Sequence, residues 1–270
     1  MKIAFLTSSL EPGRDGVGDY VRMLAAEFTR RGHPSVVLAL NDRLCSAIVE
    51  SGNELRLPES APWSERSAAA KRLLRAFGPD WISLHFVAFG YNARGVPLQW
   101  PGRFQELCGG ACVHLMFHEL WLGLAAEAST KHKLIGALQR HCFSKMVQKL
   151  QPKFVTTSNR AYAALLGTIG VAASVLPMFG AIPLEDVSEN GCSEVSSDSS
   201  RLNVVIFGSL HPEWPPEPLL THLRGAAAKL QRKLAFISVG NIGPGETLWQ
   251  SMVSRYSDME FLRLGPRSTA

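Results

Sequence analysis

Cysteine is scarce and unpatterned: Cys45, Cys108, Cys112, Cys142 and Cys192 stand without a Cys-x-x-Cys pair. An odd, scattered set argues against a disulfide framework and fits reduced thiols in the cytoplasm. Cys108 and Cys112 lie four apart, which reads as two small apolar side chains at a helix end more readily than as metal ligands. The opening apolar run, residues 3–6, is too short for the core of a signal peptide. Acidic residues are absent from residues 128–184, where Lys131, Lys133, Arg140, Lys145, Lys149, Lys153 and Arg160 all stand. A long unbroken apolar run is also lacking. Residues 161–184 carry no charge, but Gly167, Gly170, Pro177, Gly180 and Pro183 cut them into pieces. A short helix, a turn and a strand at 173–176 are therefore expected in place of a membrane span.

The 270 residues are 46% hydrophobic and 19% charged, which describes a globular chain of one or two domains. A net charge of +5 permits anionic partners without demanding them. The basic segment 131–160 reads either as a solvated helix face with snorkelling lysines or as a peripheral contact with anionic lipid on the inner face of a membrane. It lacks the interleaved aromatics of single-strand binding, so no nucleic-acid partner is expected.

The first forty residues run from an apolar stretch at 3–6 through a glycine-rich turn to a helix with Val17, Val21, Leu24, Ala25 and Phe28 on one face. A second apolar stretch at 36–40 completes a β-α-β unit. Further strand patches at 81–87, 111–117, 154–157 and 173–176 alternate with helical patterns at 64–77 and 129–150. Continuous apolar strands between helices predict an α/β fold with a parallel, doubly wound sheet covered on both faces. Residues 186–201 turn acidic and serine-rich and read as a linker. The expected domains are 1–185, then the linker 186–201, then 202–270. The last carries strands at 202–207 and 234–239 and a further helix and short strand. About three strands are fewer than the five or six of a doubly wound sheet, so an unpaired edge and an uncovered apolar face are expected, and the second domain reads as truncated.

Ligands of open α/β sheets bind beyond the carboxyl ends of the strands. After the first strand stands Gly13-Arg14-Asp15-Gly16-Val17-Gly18, feeding a helix. Its backbone N–H groups could hold a phosphate, or its glycines could simply permit a turn. The spacing Gly-x-x-Gly-x-Gly departs from the dinucleotide fingerprint, which disfavours a nicotinamide oxidoreductase. His85 alternates with apolar neighbours, as a core histidine would. His118 ends a strand next to Glu119, where ligands collect. The position a zinc motif would give to a second histidine is Leu122, so no metal site is expected there.

Taken in order, several features resemble the group 1 glycosyltransferases, a retaining family of GT-B fold. They are Lys2-Ile3-Ala4-Phe5-Leu6-Thr7, the Gly13 to Gly18 loop and its helix, Arg31-Gly32-His33, Phe117-His118-Glu119, Thr157-Ser158-Asn159 and Val205-Ile206-Phe207-Gly208-Ser209-Leu210. The resemblance implies one complete Rossmann-like domain on the acceptor side and an incomplete second one on the donor side. It implies hexosyl transfer from a nucleotide diphosphate sugar to a saccharide or other hydroxyl acceptor, without metal or other cofactor. Gly16, Val17, Gly18, Gly208 and Ser209 would bind the donor phosphate, and His118 would be the catalytic-site residue. His85, Glu119, Ser158 and Asn159 would be sugar or acceptor contacts. Two departures stand out: residues 211–217 lack the expected Arg and Lys, and a glutamate-rich donor stretch would fall beyond Ala270. The chain therefore reads as catalytically incomplete, and the alternative is a non-catalytic binding module derived from such an enzyme.

Overall fold

The computed structural model describes residues 1–125, 127–180 and 200–265. The chain separates into two compact units, Met1–Ala181 and Ile182–Ala270. Of the expected linker, residues 186–199 lie outside the described residues.

In the first unit, β1 (Ile3–Thr7) is buried at every position and runs parallel to β2 (Ser35–Asp42) on one side and β5 (Trp81–Phe86) on the other. Beyond β5 follow β6 (Cys112–Phe117), β7 (Phe154–Thr157) and the short β8 (Ser174–Val175), all parallel. Beyond β2 lies β4 (Glu54–Pro58), which carries β3 (Val49–Ser51) antiparallel at its edge. The strand order is β3-β4-β2-β1-β5-β6-β7-β8. Unbroken apolar runs suit the inner strands because both of their faces are shielded from water. No strand was expected over 49–58, although Gly52-Asn53 is a hairpin signal, with Gly52 at φ +58°.

Helices α1 (Gly16–Arg30), α2 (Trp63–Phe77), α3 (Ala88–Tyr91), α4 (Trp100–Cys108), α5 (Thr130–Leu150) and α6 (Arg160–Gly167) connect these strands. The unexpected α4 opens on Pro101, which the first helical turn tolerates because its missing N–H has no partner there anyway. On one face of the sheet, Leu38, Leu55, Phe86, Leu115 and Phe117 pack with Ala70 and Leu74 of α2, Phe104 of α4, Phe143 and Met146 of α5 and Leu166 of α6. On the other, Phe5, Val37 and Met116 lie under Tyr20, Val21 and Ala25 of α1. Among the described residues α1 is the only helix in that second cluster. Beside α1 an apolar cavity of about 460 Å³ remains, lined by Phe5, Leu24, Phe28, Trp81 and Phe154 among others. Residues 161–180 form α6 and β8, and no described helix is long and apolar enough to cross a membrane.

The second unit comprises β9 (Arg201–Phe207), α7 (Glu217–Lys229), β10 (Lys233–Val239), α8 (Glu246–Arg255) and β11 (Glu260–Arg263). Its described strands form a parallel sheet of order β11-β10-β9. Leu220, Phe236, Trp249 and Met252 make its core, with Val204 and Ile206 packed against them. The alternate positions of β9 point away, leaving Val205 57% and Phe207 72% exposed.

One buried carboxylate ties the carboxyl edge of the first sheet together. Asp42, at the end of β2, has no solvent exposure. It accepts from Ser9 Oγ at 3.0 Å, the Leu10 amide at 3.2 Å, the Leu44 amide at 2.9 Å and Arg56 Nε at 2.8 Å. Burial pushes its pKa up, but Arg56, the two amides and Ser9 outweigh that and hold it below the usual carboxylate range. Removing one member of such a group strands the other charge. Asp42→Ala is expected to cost about 2 to 4 kcal/mol, seen as a lower urea midpoint with an unchanged slope; an unaltered midpoint would refute the assignment.

Candidate functional site

The loop after β1 is drawn tight against the start of α1. A Cβ at Gly18 would lie 2.5 Å from Ser9 O, so only glycine allows this approach. Asp15 caps the helix, its Oδ1 accepting from the Val17 amide at 3.0 Å and the Gly18 amide at 2.9 Å. Two of the amides expected to hold phosphate thus already have an anionic partner. Gly18 is buried beneath the loop, while Gly16 and Val17 line a cavity of about 460 Å³ together with Ser8, Arg14, Asp15, Val87, Gly90, His118, Glu119 and Met178.

This cavity lies at the carboxyl ends of β1, β5 and β6, the edge where such sheets collect ligands. His118 is 7% exposed, and its Nδ1 is buried without a hydrogen-bond partner. Its Nε2 lies 2.9 Å from His85 Nδ1. Burial, reinforced by the neighbouring His114, pulls the His118 pKa down to about 4, so the ring is neutral at pH 7 and able to donate or accept. Two carboxyls share the cavity. Burial raises Asp15, against the pull of its capping bonds, and burial with repulsion from Asp15 raises Glu119.

His85 is 1% exposed and lies behind His118 instead of lining the cavity. Asn159 caps α6, accepting from the Tyr162 amide at 2.9 Å, and donates to Ser158 Oγ at 3.1 Å. Neither residue lines the cavity. Gly208 and Ser209 belong to the second unit, where Gly208 sits at φ +90° and its amide donates to Val239 O at 2.9 Å. Of the expected site residues, Gly16, Val17, His118 and Glu119 therefore share one cavity. Arg14 and Asp15 were read only as parts of a glycine loop. A carboxylate three residues before Gly18 is an N-cap signal that could have singled out Asp15. Along the basic segment, Arg140 lies 5.9 Å from the centre of the Trp121 ring and Lys149 donates to Gln105 at 3.4 Å. Among the described residues no group of three or more His, Cys, Asp or Glu is placed to hold a metal ion.

No family model and no curated protein matches the sequence. Solved structures do match. The lipopolysaccharide outer core galactosyltransferase WaaB, in its apo form, aligns over 99% of this chain and 69% of its own, at 12% identity and a TM-score of 0.58. The catalytic domain of starch synthase IV from Arabidopsis thaliana, bound to ADP and acarbose, aligns over 100% and 74%, at 15% identity and a TM-score of 0.51. An alpha-glucosyltransferase in complex with UDP and a 13-mer DNA aligns over 98% and 67%, at 10% identity and a TM-score of 0.54. The fold is of the GT-B type.

The buried imidazoles imply a defined pH response. Burial lowers His114 to about 4, as it does His118, and His85 well below its ordinary value of 6.5. In the unfolded chain all three titrate near 6.5, so the unfolded state binds the extra protons between there and about 4. Their contribution to stability is present above pH 6.5 and is lost as pH falls through this window, while the raised carboxyls of Asp15 and Glu119 act in the opposite sense. The urea midpoint should fall from pH 7 to pH 4.5, and fall less in His114→Asn. Equal slopes in the two proteins would show that His114 is not buried neutral.

Proposed function

We propose that the chain serves hexosyl transfer from a nucleotide diphosphate sugar to a hydroxyl acceptor, with retention of configuration. The observation that carries this reading is His118: a neutral imidazole, its Nδ1 buried without a partner, on a residue that lines a polar cavity at the carboxyl edge of a GT-B-type fold. The ADP and UDP held by the similar structures support a nucleotide diphosphate donor. In this reaction the bond from the sugar's anomeric carbon to the phosphate oxygen breaks. A bond to the acceptor oxygen forms on the same face, and the departing phosphate oxygen takes the acceptor's proton. His118 orients a hydroxyl of the sugar or acceptor by hydrogen bonding, and Glu119 lies beside it. Arg14 and the amino end of α1 supply positive charge to the diphosphate, and the reading needs no resident metal. Phosphate can use the Val17 and Gly18 amides only if the Asp15 carboxylate leaves them, and its raised pKa favours that release on protonation.

A second reading, a binding module without transfer activity, is favoured by three observations. The Val17 and Gly18 amides are taken by Asp15, the Gly208 amide by Val239 O, and residues 211–217 carry neither Arg nor Lys. The two readings part in an assay of the chain with uridine, guanosine and adenosine diphosphate hexoses, alongside calorimetric titration. For the transfer reading, His118→Ala is expected to lower turnover about 10² to 10³-fold, as for other lost transition-state contacts. The same change costs about 1 to 3 kcal/mol of stability, because His85 Nδ1 loses its partner. Binding without turnover supports the module. A lost fold with unchanged activity per folded molecule would make His118 structural.

A further inference from the structure

The second face of the first sheet, apolar under α1, carries an unbroken row of five polar groups. Thr156 Oγ1 on β7 lies 2.8 Å from His114 Nε2 on β6. His114 Nδ1 lies 2.8 Å from Ser83 Oγ on β5, and Ser83 Oγ lies 3.0 Å from His85 Nε2. His85 Nδ1 then meets His118 Nε2 at 2.9 Å. Register explains the alignment: Ser83 faces His114 across the β5–β6 pair, and Ser83 and His85 share a face because strand side chains alternate. Tyr20 and Phe5 pack over the row, with ring centres 5.5 Å from His118 and 5.9 Å from His85.

Polar groups on an apolar face need partners. This row is satisfied along its length and stops at His118 Nδ1, a buried atom without a partner on a residue that lines the candidate site. Its other end, Thr156 and His114, opens into a separate cavity of about 490 Å³ with Lys153 and Ser174. We propose that Thr156, His114, Ser83 and His85 are positioning residues that form a proton wire, fixing which state His118 Nδ1 presents to the site and able to reverse it.

The wire has two polarities. In one, Thr156 donates to His114 and every link donates toward the site, so all three imidazoles carry hydrogen on Nδ1 and His118 offers an N–H. In the other every link points back, all three carry hydrogen on Nε2, and His118 offers a lone pair. A proton taken up at His118 Nδ1 from a hydroxyl or water in the site converts the second into the first. Each hydrogen moves one link along, and the hydrogen originally on Thr156 leaves to water. One proton enters, one leaves, and no imidazole stays charged. The lowered pKa values of all three histidines agree with a chain that works through neutral rings.

The proposal does not depend on sugar chemistry, and its test needs no substrate. In the full chain labelled with ¹⁵N-histidine, ring-nitrogen shifts at pH 7 report each tautomer. His85, His114 and His118 should share one tautomer, all Nδ1–H or all Nε2–H. A mixed set would mean that Ser83 accepts from both neighbours or from neither, which breaks the wire and overturns the proposal. Thr156→Val, four hydrogen bonds away from His118, should change the His118 tautomer ratio about twofold or more, and Thr156→Ser should restore it. Ser83→Ala should act in the same way. A His118 ratio unmoved by Thr156→Val would overturn the proposal whether or not Ser83→Ala folds.

Discussion

Much of the first unit's ligand edge hangs on the Asp42 carboxylate. It has no contact with water, so its charge is tolerable only while Arg56, Ser9 and the Leu10 and Leu44 amides surround it. Those bonds fix the chain after β1, which in turn lets Gly18 come within touching distance of Ser9 O and sets where α1 begins. The start of α1 then decides where Asp15, Gly16 and Val17 stand around the cavity. The geometry of the candidate site is thus inherited, through one ionic knot, from the end of β2 and the middle of β4.

The strands were legible because a buried parallel sheet is written in unbroken apolar runs. Residues 3–6, 36–40 and 154–157 were each marked as strands and form β1, β2 and β7 with small changes at their ends. Helix α4 was hidden because Pro101 and Gly102 look like a break, and only tertiary packing of Trp100 and Phe104 shows otherwise. The hairpin of β3 and β4 was hidden by Glu50 and Glu54: Glu50 stands on the edge strand β3, and Glu54 on β4 is paired with Arg22 at 2.6 Å. At the site, the position of His118 at a strand's end was readable. The partner that orients it was not: Ser83, His85, His114 and Thr156 come from three strands, and only the register brings them into line. A strand histidine between apolar neighbours is ambiguous until its cross-strand neighbours are known.

The two carboxyls and the neutral imidazole in one cavity divide the chemistry by environment. His118 stays uncharged because water is excluded around it, whereas Asp15 remains partly stabilised by the two amides that it caps. A phosphate arriving at the amino end of α1 would compete with the Asp15 carboxylate for the same donors, so any anion binding there would be coupled to the protonation and position of a single side chain.

The second unit carries a different consequence. Among the described strands β9 lies at the edge of its sheet with Val205 and Phe207 facing outward, so a row of backbone donors and acceptors that no described strand pairs borders an oily stripe. That combination is a template for adding another strand.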